Sequence, residues 1–189
     1  MAEDVLIISR RGRFSELWDS TAWRLTLYLA AAVALGVIAG LLWSWLSPLP
    51  AFTINDDMTA SINERSQTAM VAADVTFTVL TGVVGLVLGA VGWVILHPKG
   101  WVVIGVPLIA ALAAALTAWQ TGLLVGESGF VDRLAAAQAG DVVRVDLALR
   151  SMSALLVAPF AAITPIMLMA AFWPEPRVDR PTEEPVGTV

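Results

Sequence analysis

Cysteine is absent from the chain, and histidine occurs once, at His97. Disulfides, thiolate nucleophiles, cysteine–zinc centres and iron–sulfur clusters are therefore excluded, and one imidazole cannot build a catalytic metal site by itself. Charge is scarce as well. Only 14% of residues are charged and 58% are hydrophobic, whereas soluble domains carry roughly a quarter charged residues. The charges that exist avoid the long apolar runs: no Asp, Glu, Lys, Arg or His falls within Leu25–Leu46, Val75–Leu96, Trp101–Val125 or Ser151–Trp173. Pumps, proton relays and ion-coupled carriers generally place an ionisable group at membrane depth, so coupled transport loses its usual hardware. No GxSxG, HExxH or Walker-type loop is present. A net charge of −5 and a pI near 4.7 argue against nucleic acid as a partner.

What is present is four apolar runs, each long enough to cross a hydrocarbon core of roughly 30 Å at about 1.5 Å per helical residue. They make up about half the chain, and the remainder is too little for a separate soluble core. The predicted fold is an all-α membrane protein, a four-transmembrane-helix bundle with a small extracytoplasmic β cap from its two long loops. Residues 1–24 form an N-terminal tail, and residues 25–173 form the membrane domain. Its helices cover about 25–46, 75–96, 101–125 and 151–173, with outer loops 47–74 and 126–150. Residues 174–189 are polar and proline-rich, a composition that predicts a disordered C-terminal tail. The first run follows a basic segment but is too long for the apolar core of a cleaved leader, and reads as a retained helix.

Orientation follows from the basic residues. Arg10, Arg11, Arg13 and Arg24 precede the first helix and Arg65 follows it, which predicts cytoplasmic termini. Lys99, Arg177 and Arg180 then also lie inside, and Arg133, Arg144 and Arg150 of the second long loop weigh against them. Tryptophan prefers the headgroup boundary. Trp23, Trp93, Trp101 and Trp173 are accordingly expected at the inner boundary, and Trp43 and Trp45 at the outer one. Arginines beside Phe14, Leu17 and Trp18 suit an anionic inner leaflet, or serve only as the positive-inside determinant.

Small residues mark candidate packing faces. Gly82, Gly85, Gly89 and Gly92 form one stripe on the second helix, and Gly36 and Gly40 a GxxxG unit on the first. Ala110, Ala114 and Ala118 recur at fours in the third helix, and Ala154, Ala158 and Ala162 in the fourth. Lipid tails solvate leucine as well as another helix does, so close backbone approach must hold such helices together. The faces read either as an intramolecular bundle or as a surface left for a membrane-protein partner or a second copy. Pro107 stands near a helix start, whereas Pro159 and Pro165 are central to the fourth run and are expected to bend it.

In the first long loop, Phe52 and Ile54 alternate with polar residues before an Asn55-Asp56-Asp57 turn signal, and a hairpin over 52–62 is expected. Residues 64–73 lack proline and glycine and extend the second helix outward. In the second loop, Phe130–Ala139 reads as a short amphipathic helix stopped by Gly140. Asp141–Leu149 is the clearest strand, with Val143, Val145, Leu147 and Leu149 on one face. A lone strand leaves its backbone unpaired, so this one is expected to join the hairpin in a three-stranded cap. Asp56, Asp57 and Asp74 are weak candidates for an outer polar site; a solvated acidic turn for the first two and a helix N-terminal charge for Asp74 explain them better. No catalytic, cofactor or metal-ligating set is predicted.

Four segments carry a resemblance: Leu42-Trp43-Ser44-Trp45-Leu46-Ser47-Pro48, Ala73-Asp74-Val75-Thr76-Phe77, Ala118-Trp119-Gln120-Thr121-Gly122, and Leu147–Pro159. Together they resemble a family of small actinobacterial four-pass membrane proteins catalogued only as a domain of unknown function. The resemblance covers roughly residues 25–175. That family's pattern favours glycine after the aspartate, where this chain has Val75. It implies the architecture and brings no activity. The expected role is a non-enzymatic structural, assembly or accessory protein of the cell envelope, embedded in the lipid bilayer of the cell membrane. The alternative is a small transporter or lipid-handling protein that takes an uncharged or amphipathic ligand between kinked helices. A cavity reaching Gln120 and Pro159 would favour the second reading, and outer acids meeting in one pocket would favour an enzyme.

Overall fold

The computed structural model describes residues 21–57, 59–62, 64–96 and 101–172. Both tails, with Trp18 and Trp173, and the turn with His97 and Lys99 lie outside the described residues. The chain is mostly helical, and four of its helices are long and apolar enough to cross a membrane. Helix α1 spans Thr21–Leu46, α2 Glu64–Leu96, α3 Val102–Val125, and α5 Val157–Phe172. The short helix α4, Phe130–Ala135, lies in the second long loop and is shorter than its sequence predicts. Helix α2 is continuous through the 64–73 extension, with Glu64 in its first turn, where a carboxylate suits the helix dipole.

Proline behaves differently in the fourth helix than its sequence position suggests. Met152–Leu156 is a 3₁₀ turn, and the α-helix begins only at Val157. Pro159 therefore falls in the first turn of α5, where a missing N–H costs little. Its ring also excludes an ordinary α-turn at residue 155, which favours the tighter winding just before it. Only Pro165 remains inside the helix.

Two seams hold the bundle together. A Cβ on Gly36 would lie 2.5 Å from the Ala114 carbonyl oxygen, and one on Gly40 would lie 2.5 Å from that of Ala118. On the other seam, a Cβ on Gly85 would strike the Ala158 carbonyl, and one on Gly89 the Ala162 carbonyl. Residue numbers rise together across each contact, so α1 lies parallel to α3 and α2 parallel to α5. These are also the two most extensive helix pairs. Hydrogen in place of a side chain lets the two backbones approach to the distance at which weak Cα–H···O contacts form. The core between the seams is mostly alanine: Ala32, Ala110, Ala111, Ala114, Ala115, Ala158 and Ala162 are all buried. At Gly92 the neighbours are Pro107 and the Tyr28 hydroxyl, which ties α2 to α3 and α1. Tyr28 itself donates to the Leu88 carbonyl oxygen at 2.5 Å. Gly82 is the exception among the predicted packing glycines, because a Cβ there would meet only the Val157 side chain at an ordinary 3.6 Å.

Both loops contribute to one small sheet at the far end of the bundle. Strands β1 (Ala51–Ile54), β2 (Ala60–Ile62) and β3 (Val142–Arg144) are arranged in the order β2-β1-β3, with both pairings antiparallel. Phe52 stands opposite Ile62 on one side and Val143 on the other. The strand expected over Asp141–Leu149 is only three residues long. Beyond it Val145 donates to the Pro50 carbonyl at 2.8 Å, and the chain then runs unladdered over the helices. The two-residue alternation nevertheless persists: Val143, Leu147 and Leu149 are buried, while Arg144 and Ala148 face out. Val145 is only half-buried.

Candidate functional site at the cap end of the bundle

Trp43 is the centre of this region. Its sequence position suggests a headgroup anchor, yet the side chain is wholly buried. The indole meets Phe77 edge-on at 5.0 Å, lies against the bare Cα of Gly122, and donates through Nε1 to the Ala73 carbonyl oxygen at 2.8 Å. The sequence carries a signal for this placement. Gly36, Gly40 and Trp43 are spaced by four and three, so the indole continues the glycine stripe that faces α3. Trp45, two residues on, points away and is 78% exposed, as a boundary anchor would be. Trp93 is also buried rather than lipid-facing, packed with Leu96, Val103 and Ile166.

Asp74 follows the Trp43 acceptor directly. Its carboxylate accepts the backbone N–H of Arg150 at 3.1 Å and of Ser151 at 2.9 Å. Ser151 is the N-cap of the 3₁₀ turn and supplies no side-chain cap of its own. An aspartate on α2 therefore caps the start of the fourth span, which leaves helix-starting donors satisfied and sets a negative charge at the positive end of a helix dipole. Residues 73 and 74 thus fasten α1 and the fourth span to α2 within one turn. Leu147 and Leu149 cover the same spot from the cap, packed with Trp43, Phe77, Ala118 and Ala154.

The other outer acids do not join Asp74. Asp57 accepts the Thr59 amide at 3.1 Å and the Thr59 hydroxyl at 2.6 Å, which holds its carboxyl below the usual carboxylate range. Asp56 is exposed in the same turn. The three predicted polar-site residues are therefore a hairpin turn and a helix cap, and no group of carboxylates or histidines among the described residues could hold a metal ion.

A separate ionic network braces the second loop. Arg133 reaches Asp146 at 2.7 Å and the carbonyls of Ser128 and Arg144, and Asp146 accepts the Phe130 amide. Arg144 pairs with Glu127 at 3.3 Å. Sequence reading missed this network because its members are scattered over residues 127–146 in no periodic pattern.

Two grooves notch the helical wall. One, of about 270 Å³, lies between α3 and α5 and is lined by Leu108, Leu112, Pro159, Phe160 and Ile163. Gln120, the other residue a ligand cavity was expected to reach, is exposed and does not line it. The second groove, of about 380 Å³, lies between α1 and α2 beside Arg24 and Tyr28.

Comparison with protein-family models, with curated proteins and with solved structures finds no match.

Proposed function

We propose that this chain is a non-enzymatic membrane protein of structural, assembly or accessory type in the cell envelope. In this reading both termini are cytoplasmic and the β cap is extracytoplasmic, where it meets an envelope partner. The observation that carries the proposal is mechanical. The glycine faces that could have received a partner helix are consumed inside the bundle, and Trp43 and Asp74 lock the helix ends beneath the cap. The surface that remains for recognition is the cap and its Glu127–Arg133–Arg144 network. The resemblance to the actinobacterial four-pass family belongs to the same proposal.

Mild-detergent capture of the tagged protein from its native membrane tests this reading. A partner retained by the wild type and lost on Arg144→Glu supports it. Capture of the same proteins by the wild type and by a chain with the hairpin tip replaced would reject it. A second reading, lipid handling, rests on the apolar groove beside Pro159. It predicts that Leu112→Trp, which fills the groove, abolishes lipid exchange between vesicles while leaving partner capture intact.

A further inference from the structure

Where α1 and α3 leave the membrane, a cleft of about 470 Å³ opens between them, and its walls include Ser44, Trp45, Ser47, Glu127, Arg144 and Leu147. Three features distinguish it from the lipid-facing grooves lower down. It is of mixed polarity at the depth where the apolar runs end. Both signs of charge stand at its mouth, with Glu127 and Arg144 3.3 Å apart and each side chain substantially exposed. In its wall the Ser47 side chain, 7% exposed, makes no hydrogen bond through its hydroxyl. A buried hydroxyl without a partner is unfavourable; its oxygen has almost no accessible surface, so an acceptor seated in the cleft satisfies it once the side chain turns outward.

We infer that this cleft binds the headgroup of a zwitterionic phospholipid bearing a primary amine. Arg144 takes the phosphate, since its guanidinium is the more exposed of the two arginines in this network and matches two phosphate oxygens. Glu127 takes the ammonium. Ser47 donates to a phosphate or ester oxygen, and the exposed Trp45 indole lies along the glycerol level. The acyl chains run down the exposed Leu42, Leu46 and Leu124 side chains. Local charge selects a zwitterion over an anion. Asp146 and Glu127 flank Arg133 at 2.7 and 3.9 Å and Arg144 pairs with Glu127 at 3.3 Å, so the two acids balance the two arginines. The cleft shares Glu127 and Arg144 with the recognition surface proposed above, and lipid retention by the purified protein is read separately from partner capture.

Native mass spectrometry of the full-length protein in mild detergent, titrated with phosphatidylethanolamine, phosphatidylcholine or phosphatidylglycerol, tests it. Phosphatidylethanolamine should be retained several-fold better than the other two. Glu127→Gln should erase the preference over phosphatidylcholine, which has no N–H to donate. Arg144→Gln should weaken binding of all three lipids roughly tenfold, the scale of one lost charge-assisted hydrogen bond. Ser47→Ala should lower lipid retention while leaving the lipid-free protein at least as heat-stable as the wild type, because an unsatisfied group has gone. Equal retention of all three lipids by every variant overturns the site. So does a preference for phosphatidylglycerol that Arg144→Gln abolishes, which would make it an anion site. Competition by water-soluble glycerophosphoethanolamine as effective as the lipid would overturn the membrane source. A Ser47→Ala protein less stable without lipid would show the hydroxyl already partnered, and would count against the inference equally.

Discussion

At the residue scale, the indole of Trp43 does two separable things. Trp43→Phe keeps a ring against Phe77 and Gly122 but removes the hydrogen bond to the Ala73 carbonyl, and should cost about 1 kcal/mol. Trp43→Ala also empties the space beneath the cap and should cost about 3–5 kcal/mol. Thermal unfolding in detergent separates the two: an unchanged Trp43→Phe would mean that the Nε1 contact carries nothing, and equal losses in both variants that the ring packing adds nothing to it. Asp74→Asn should cost about 1 kcal/mol, since an amide oxygen accepts more weakly than a carboxylate. Its signature should be faster exchange of the Arg150 and Ser151 amides with no change at the hairpin. The contrast between Trp43 and Trp45 shows how far residue identity carries. Tryptophan near a span end reads as a boundary anchor, which describes Trp45. Trp43 is placed instead by the helical phase it shares with Gly36 and Gly40, so spacing decides its position and composition does not.

At the scale of elements, the glycine stripes were legible as packing faces because small residues four apart lie on one side of a helix. Their partners were not, since any of several alanine stripes could have received them. Gly85→Leu or Gly89→Leu should lower stability by about 1–3 kcal/mol or more, through a side chain forced against a backbone carbonyl. Val87→Leu, on an exposed face, and Gly82→Ala, facing only an ordinary contact, should change little. A uniform drop in melting temperature across all four would reject the seams. The 3₁₀ lead-in before Pro159 was hidden by the same limit. The proline is visible in sequence, but whether it falls mid-helix depends on where the chain begins to coil, and that is set by Asp74, distant in sequence. In the hairpin, the Thr59 bonds depress the Asp57 pKa below its ordinary 3.8. The turn's contribution is therefore present above that value and is lost as pH falls through the depressed folded pKa. The Thr59 amide resonance should follow this titration, with its midpoint below 3.8.

For the whole molecule, the four spans and the approximate loop limits could be read directly from charge-free apolar runs, because crossing a bilayer needs length and little else. The convergence of the two loops was inferable from backbone accounting: the strand expected over Asp141–Leu149 needs a partner, and the hairpin is the other extended segment outside the spans. The ion-pair bracing of the second loop has no comparable rule behind it. Because the chain has no cysteine, the cap can be tested cleanly. A Thr53→Cys/Val142→Cys pair, which stands in register across β1 and β3, should cross-link on mild oxidation, whereas Thr53→Cys with Val131→Cys should not. Reporter fusions placed after Val178 and within the first tail should score on the same side of the membrane, with insertions at Asp57 and Gly140 on the other. Termini that score on opposite sides would refute the even number of crossings.

The two parallel seams also impose an order on biosynthesis. Each joins a helix of the first hairpin to one of the second, α1 to α3 and α2 to α5, so neither seam can close until the later half of the chain has been inserted. A nascent chain paused after α2 would expose both glycine grooves to lipid, and would depend on the insertion machinery or on loose self-contact to avoid wrong partners. The same arrangement makes the halves mutually dependent. Severed at the turn between α2 and α3 and co-expressed, they should find one another in the membrane, whereas either half alone should be degraded.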